Sequence, residues 1–257
     1  MTSAAPAISQ GSYDGVAAGA LATRFRLPAV VAVDSTGSTL DVAHALAAAG
    51  APNGTLVLAD AQTAGRGRSG KRWTSARGAG IWLTLVERAL DPATLSLLAL
   101  RLGVAAAAAL EPFVAAGPIG VKWPNDLYVG PAKLAGILAE ARWRDGVPEW
   151  VAIGMGVNVE PPADVPDAAG LRPGVARLDV LDALLPSLRA AAARRGELDG
   201  SELAALGQRD VARGRRATAP AAGTVEGVSA AGELLIRAPN GVVTAYRSGS
   251  LVLAEAS

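Results

Sequence analysis

The stretch that decides the fold is GTLVLADAQTAGRGRSGKRWTSARGAGIWLTLVE, residues 54–87. Its two ends, 54–62 and 81–87, are rich in apolar and β-branched residues, and each is predicted to form a strand. The glycines between them fit the G-x-G-x-x-G spacing of a dinucleotide-binding loop. Such a loop needs a helix directly after its glycines, whereas here a second strand follows. The dinucleotide interpretation therefore fails, and residues 63–80 are predicted to be a long connection between two strands.

This connection combines flexibility with positive charge. It contains no acidic residue, and its basic residues are Arg66, Arg68, Lys71, Arg72 and Arg77. We expect a loop that repels itself when empty and wraps around an anion, since long loops in compact domains are often functional. A solvated basic loop is the alternative. Trp73 favours a ligand, because an aromatic ring in such a loop can stack on a base or cover an apolar group.

A second unusual run is GVKWPNDLYVGPAKLAGILAE, residues 120–140. Lys122 and Lys133 lie on or beside short apolar strands, where a charge normally needs a partner. Asn125 and Asp126 form the turn between them. The alternative is a simple turn whose lysines extend to solvent. A lysine nevertheless suits a phosphate, and an Asn-Asp pair suits hydrated Mg²⁺ or the polar groups of a nucleotide.

Composition excludes several kinds of chemistry. The 257 residues include no cysteine and one histidine, His44, so thiolate chemistry and multi-histidine metal sites are excluded. His44 is expected to be an ordinary side chain of a helix over 40–49. A formal net charge of +1 removes the strongest argument for nucleic-acid binding. The N-terminus is no signal peptide, and the apolar run 93–110 carries Arg101, so we expect a cytoplasmic protein without membrane spans.

The remaining pattern alternates strands and helices before it changes near the C-terminus. Ser38 is predicted to cap a helix that Gly50 ends. Strands are predicted at 28–35, 121–143 (several short ones) and 151–159, and helices at 14–25, 93–117, 177–194 and 201–212. After Gly214, short strands separated by Gly-Glu and Asn-Gly turns indicate a small β-barrel of the SH3 kind.

At these motifs the sequence resembles a biotin protein ligase. The resemblance covers about residues 30–257 and rests on AQTAGRGRSGKRW (61–73), KWPNDLYVGPAKLAGILAE (122–140) and GMGVNV (154–159). It implies an α+β fold with a mixed, mostly antiparallel sheet and flanking helices, as in class II aminoacyl-tRNA synthetases, plus a small SH3-like barrel. It divides the chain into an N-terminal extension (1–29), a catalytic biotin- and ATP-binding domain (30–212) and the C-terminal SH3-like domain (213–257).

The resemblance also implies an activity. Biotin's carboxylate would attack the α-phosphate of ATP to give biotinyl-5′-adenylate and pyrophosphate. The biotin would then pass to one lysine of the carboxyl carrier domain of a biotin-dependent carboxylase. ATP and Mg²⁺ would be the cofactors. Cationic side chains would do the main catalytic work, because both reactants of the first step are negative.

The site residues follow from the motifs by resemblance. Lys133 and Arg68 are expected to be catalytic, and the loop is expected to close over the adenylate and exclude water. The expected biotin contacts are Ser38, Thr39, Leu40, Gln62, Gly65, Arg66, Gly67, Arg68, Lys133 and Gly136. The expected ATP contacts are Arg68, Lys71, Trp73, Lys122, Asn125, Asp126, Lys133 and Asn158. Asp126 is also the expected Mg²⁺ ligand.

Two departures from the family pattern are visible. Leu40 stands where the family usually has the asparagine of Ser-Thr-Asn, so only its backbone could serve the ligand. The segment before the first strand is too short for the winged helix-turn-helix of some relatives, and we expect no DNA binding. The alternatives are a lipoate ligase, a catalytically impaired homologue, or a non-catalytic regulator. We expect a monomer or a weak homodimer.

Overall fold

The computed structural model describes residues 9–88, 91–115 and 117–254. Its helices are α1 (Ala18–Phe25), α2 (Thr39–Ala48), α3 (Leu98–Leu110), α4 (Arg177–Ala192) and α5 (Gly200–Arg209). Its strands are β1 (Ser12–Tyr13), β2 (Val16–Ala17), β3 (Val30–Thr36), β4 (Thr55–Gln62), β5 (Gly80–Glu87), β6 (Ile119–Lys122), β7 (Asp126–Val129), β8 (Ala132–Arg144), β9 (Val147–Asn158), β10 (Arg216–Ala219), β11 (Gly223–Val228), β12 (Leu234–Arg237), β13 (Val243–Tyr246) and β14 (Val252–Leu253).

A seven-stranded sheet in the order β3-β4-β5-β9-β8-β7-β6 forms the centre of the molecule. Only β3 and β4 run parallel, and every other neighbouring pair is antiparallel. The mixed, mostly antiparallel sheet and its flanking helices confirm the predicted fold class. The long basic connection joins β4 to its antiparallel neighbour β5, as the strand–loop–strand pattern predicts.

The sheet separates two apolar clusters because side chains along a strand alternate between its faces. On one face, Leu56 and Leu58 of β4 join a large core that includes α1, α3 and α4. On the other face, Val57 joins a small cluster under α2. The buried residues of α2 in that cluster, Leu40, Ala43 and Ala47, are spaced by three and four positions, as one face of a helix requires.

Three predicted helices have different bounds in the structure. The prediction over 93–117 was too long: the α-helix covers Leu98–Leu110 between short 3-10 turns, and Pro112, which cannot donate a backbone hydrogen bond, follows it. The predicted helix at 14–25 begins only at Ala18, because β1 and β2 pair as a hairpin before it. The helix predicted to reach 212 ends at Arg209, where the chain turns to run beside β6.

Residues 9–29 lie against the central sheet. Gln10 bridges to Val31 of β3 in parallel register, and its carbonyl accepts a hydrogen bond from Ala32 N at 2.9 Å. Tyr13 is buried in the large core, and the guanidinium carbon of Arg177 lies 4.4 Å from the centre of its ring. This part of the predicted N-terminal extension therefore contributes to the core.

The last strands form a second sheet in the order β13-β12-β11-β10-β14, all antiparallel, which fits the predicted SH3-like architecture. Its apolar residues, among them Val225 and Ile236, are continuous with the large core. Trp123 of the central region donates through Nε1 to Gly232 O at 3.1 Å. Among the described residues, no helix has the length and apolar character needed to cross a membrane.

Candidate active site

A cavity of about 600 Å³ lies between the central sheet, the basic loop and the C-terminal sheet. The loop and the run 120–140, far apart in sequence, meet here. The predicted site residues that line the cavity are Ser38, Thr39, Leu40, Gln62, Arg66, Gly67, Arg68, Lys71, Trp73, Lys122, Asn125, Asp126, Lys133, Gly136 and Asn158. A volume of this size is typical of small-ligand sites.

The basic loop, here residues 63–79 and called the ligand loop, is folded back on itself. Arg66 bridges to Arg72 in antiparallel register, and Gly67 N donates to Lys71 O at 2.7 Å. A side chain at Gly65 would meet the carbonyl oxygen of Trp73 at 2.5 Å, so this position requires glycine. Gly65 lines an adjoining outer depression and does not line the cavity itself. Gly65 therefore determines the shape of the loop and forms no part of the cavity wall.

The expectation of a self-repelling empty loop is met only in part, because carboxylates of other elements compensate Arg66 and Arg77, two of the loop's five basic residues. Arg66 pairs with Asp41 of α2 at 2.9 Å and with Glu140 of β8 at 3.0 Å. Arg77 pairs with Asp34 and Asp60 at the base of the loop. These acids lie outside the loop, so the loop's own composition could not reveal them.

Arg68 connects the ligand loop to both other walls of the cavity. Its guanidinium donates to Asn125 Oδ1 at 3.3 Å and to the carbonyl oxygen of Gly249 at 3.3 Å. Burial lowers the pKa of Arg68, and the negative charge of Asp126 opposes this shift. An arginine remains protonated under these conditions. Arg68 is thus a half-buried cation at the meeting point of loop, turn and C-terminal sheet.

Lys133 presents its ammonium group between a carboxylate and an aromatic ring. Its Nζ lies 2.7 Å from Asp126 Oδ1 and 5.1 Å from the centre of the Trp73 ring. The strands β7 and β8, which carry Asp126 and Lys133, are paired antiparallel with a register shift near Tyr128. The carboxylate, the ring and the sheet together fix the position of this cation.

The Trp73 ring packs against two glycines of the central sheet. Gly136 of β8 and Gly156 of β9 are directly paired across the sheet. A side chain at Gly156 would collide with Trp73 Nε1, and one at Gly136 would lie 3.2 Å from the ring. The Trp73 Nε1 hydrogen has no partner among the described residues. The glycines of the KLAG and GMGVN motifs thus leave room for an aromatic ring.

At the α2 end of the cavity, the polar groups form one hydrogen-bonded chain. Thr84 Oγ1 donates to Thr39 Oγ1 at 2.8 Å, and the backbone N of Thr39 donates to Gln62 Oε1 at 2.8 Å. Gln62 Nε2 in turn donates to Ser75 Oγ at 2.8 Å. The chain orients the Gln62 amide, and one of its hydrogens has no protein partner among the described residues.

Leu40 covers β9 at this end of the cavity. A side chain at Gly154 would lie 3.1 Å from the Leu40 methyl groups, and Leu40 is itself buried in the cluster under α2. The backbone N of Leu40 donates to the capping Ser38 Oγ at 3.3 Å, which confirms Ser38 as the N-cap. The side chain at this position contributes apolar surface where the family motif has an amide.

The opposite end of the cavity is basic. Lys122 places its ammonium group 5.5 Å from the centre of the Tyr128 ring. Burial lowers the pKa of Lys122, Asp126 raises it, and the positive charges of Lys133, Arg215 and Lys71 lower it further. Asn125 donates to Ile137 O at 2.7 Å, and Asn158 donates to Lys133 O at 3.3 Å. These two amides hold the strands that carry the lysines.

Two groups near the site were missed by the sequence analysis. Arg215 and residues 250–253 line the cavity from the C-terminal sheet, and no local motif marks them. His44 does more than occupy a helix face: its Nδ1 accepts from Trp150 Nε1 at 3.0 Å, so Nε2 is left to donate to Glu140 at 3.1 Å. Glu140 is the residue that also holds Arg66 of the ligand loop.

Comparison with known proteins identifies the family of this chain. Residues 32–158 match the biotin/lipoate A/B protein ligase family. The chain is 34% identical over 224 residues to the biotin--[acetyl-CoA-carboxylase] ligase of Paracoccus denitrificans, covering 76% of this chain and 88% of that protein. The chain therefore belongs to the biotin/lipoate A/B protein ligase family.

Other relatives match over a smaller part of their length. Identity to the bifunctional ligase/repressor BirA of Bacillus subtilis is 42% over 142 residues, or 52% of this chain and 42% of that protein. The chain thus spans less than half of that relative. A structure of the biotin protein ligase of Aquifex aeolicus in complex with biotin and ATP is similar with a TM-score of 0.69 and 25% identity, covering 88% of this chain and 99% of that one.

Proposed function

We propose that this protein is a biotin protein ligase, which activates biotin with ATP to biotinyl-5′-adenylate. It then transfers the biotinyl group to a lysine amine of a carboxylase's carrier domain and releases AMP. The observation that carries the proposal is the convergence of the ligand loop and the lysine-bearing strands β6 and β8 on one cavity. A polar end at Gln62 and Thr39 suits biotin's head group, and a cationic end suits ATP. The relative from Paracoccus denitrificans, named a biotin--[acetyl-CoA-carboxylase] ligase, supports the same substrates.

The proposed chemistry is electrostatic. The biotin carboxylate oxygen forms a bond to the α-phosphorus while the bond to the bridging oxygen breaks and pyrophosphate leaves. Lys133 would draw the carboxylate and the α-phosphate together, because it is the cation whose position the sheet, Asp126 and Trp73 fix. Arg68 would hold the ligand loop closed over the adenylate. Gly67 would let the backbone approach biotin closely, and Trp73 would cover the adenine.

Mg²⁺ would accompany the nucleotide. Among the described residues, no group of three or more His, Cys, Asp or Glu side chains is arranged to bind a metal. Asp126 is the carboxylate that lines the cavity, beside the Asn125 amide. One carboxylate together with substrate phosphates is a common environment for Mg²⁺. The ion would neutralise phosphate charge, and Asp126 would be its protein ligand.

The proposal extends to domains and partners. Residues 30–212 would be the catalytic domain and 213–257 the C-terminal domain, acting in the cytoplasm as a monomer or weak homodimer. The acceptor would be a biotin carboxyl carrier protein. A net charge of +1 gives no support to a nucleic-acid partner. A lipoate ligase is the second candidate, since the matched family includes both kinds of enzyme.

Adenylate formation without an acceptor tests the proposal. The purified protein would be incubated with biotin and MgATP, and in parallel with lipoate and MgATP, while bound adenylate and released pyrophosphate are measured. We expect adenylate with biotin alone. Adenylate with lipoate alone would move the protein to the lipoate branch of the family. No adenylate with either acid would indicate a catalytically impaired member.

A further inference from the structure

The cavity holds more positive charge than the protein itself neutralises. All three lysines of the chain, Lys71, Lys122 and Lys133, line it. Lys133 pairs with Asp126. Within the described ranges 9–88, 91–115 and 117–254, no carboxylate lies at ion-pairing distance from Lys71, Lys122 or Arg215. Unpaired cations around one cavity favour an anion that carries several charges.

Arg215 lies beside these cations because the chain that precedes it runs along the edge of the central sheet. Beyond α5, Asp210 bridges to Val121 of β6 in parallel register, and Val211 N donates to Val121 O at 3.2 Å. Gly214, with φ +78°, then turns the chain, and Val225 N donates to Arg215 O at 2.9 Å. The backbone of Arg215 is thus fixed by both sheets while its side chain is exposed at the cavity.

The neighbours of Arg215 define its role. Arg215, Lys71, Lys122 and Lys133 line the same cavity, and, besides burial, the charges of the other three lower the pKa of Lys122. The hydrogen-bonded chain of Gln62 and Thr39, with no charged member, lies at the α2 end. The uncharged end therefore suits the polar head of biotin, and the cations suit the polyphosphate of ATP.

We infer that Arg215 binds the outer phosphates of the nucleotide and stabilises the pyrophosphate that leaves. The inference rests on the proposed function and adds to it a residue from outside the motifs. When the bond from the α-phosphorus to the bridging oxygen breaks, the electron pair stays on the pyrophosphate. The guanidinium of Arg215 offers a planar pair of donors to that growing charge. Lys71 and Lys122 contact the same group as compact cations.

Direct binding of inorganic pyrophosphate and tripolyphosphate tests Arg215 without requiring catalysis. Isothermal titration would compare the intact protein with Arg215→Ala and Arg216→Ala. Arg216 is the matched control: it is the next residue, it is exposed, it does not line the cavity, and its loss changes the net charge equally. We expect about tenfold weaker binding for Arg215→Ala, the effect of one charge-assisted contact, and less than about twofold for Arg216→Ala.

Two results would overturn the assignment: equal weakening in both variants, or no pyrophosphate binding by the unaltered protein. Adenylation assays then separate this inference from the proposed function. With biotin as substrate, Arg215→Ala should raise the KM for ATP about tenfold and leave the Kd for biotin unchanged. If the protein binds pyrophosphate through Arg215 but forms no adenylate, the proposed function is contradicted and the assignment of Arg215 to an anion site is still supported.

Discussion

Two of the three walls of the cavity, the ligand loop and the central sheet, are held in different ways. The ligand loop is held by ion pairs such as Arg66 with Asp41, whose side chains are 37% and 61% exposed. The lysine wall, here the strands β6 to β9, is held by continuous backbone pairing, including the ladder from Ala135 to Arg144 of β8 with β9. Exposed ion pairs contribute at most about 1 kcal/mol each, so the loop can exchange its partners. The lysine wall cannot move without breaking the sheet.

This difference suits an adenylating enzyme. Cations that act on the reacting phosphate must be fixed before the substrate arrives, because reorganisation during the reaction would cost catalytic free energy. The groups that retain the adenylate must open to admit substrate and release product. Trp73 belongs to the loop but lies on Gly136 and Gly156 of the lysine wall, so its position reports whether the loop is closed.

The largest effect is expected from removing the fixed cation. Lys133→Ala should lower the rate of adenylate formation by at least about 100-fold, as loss of a key electrostatic group does, while the thermal midpoint changes little. Pyrophosphate release measures it. Because Lys133→Ala leaves Asp126 without its partner, the control is Lys133→Gln, which keeps a hydrogen-bond donor beside Asp126 but removes the charge. Near-normal activity in Lys133→Gln would show that the loss came from the unpaired carboxylate, and normal turnover in Lys133→Ala would exclude Lys133 from the mechanism.

The next largest effect is expected on the free energy of unfolding, in the small apolar cluster under α2. Leu40→Asn should lower the free energy of unfolding by about 2 kcal/mol, because it places an amide in the apolar cluster under the helix. Urea denaturation measures it. Ala45→Asn, on the exposed face of the same helix, should cost only a few tenths of a kcal/mol through helix propensity. Equal losses in both variants would mean that Leu40 does not pack as described.

A smaller effect, on the rate of adenylate release, is expected where the ligand loop contacts the other two walls of the cavity. Arg68→Gly removes the contacts of the ligand loop with Asn125 and Gly249 and should speed adenylate release about tenfold. Release is measured by chasing labelled adenylate from the protein. Arg72→Gly adds the same backbone freedom and also removes a cation that lines the cavity. Among the described residues its side chain hydrogen-bonds to Thr63 inside the loop and to neither other wall, so it should change release by less than about twofold. Similar release from both variants would assign the effect to flexibility alone.

The smallest effect is expected at the outer attachment of the loop. Glu140→Gln removes one ion pair of Arg66 and should speed tryptic cleavage within the ligand loop about two- to fourfold in the absence of ligand. Saturating biotin and MgATP should suppress the difference. Glu149→Gln, which breaks the pair with Arg144 far along the β8–β9 hairpin, is the control. Faster cleavage in the control would show that the assay reports general loosening.

Much of the fold could be predicted because its signals are local. The β4 and β5 strands, the Ser38 cap and the Asn-Gly turn at 240–241 each follow from a few adjacent residues. The helix over 93–117 was predicted too long because its alanine-rich composition continues past the point where Pro112 ends the hydrogen bonding. The candidate site residues were assigned by resemblance, from two short runs of unusual composition, the GMGVNV motif and the start of α2.

The sequence by itself determined the strand–loop–strand pattern and the concentration of cations in two runs. Only the tertiary structure decided which charges are neutralised, which remain for a ligand, and that Gly136 and Gly156 lie beneath Trp73. Arg66 meets Glu140 across 74 residues, and Arg68 meets Gly249 across 181. Arg215 reaches the cavity only because the chain after α5 runs beside β6. Such contacts depend on how the sheets are assembled, and no pattern of neighbouring residues encodes that assembly.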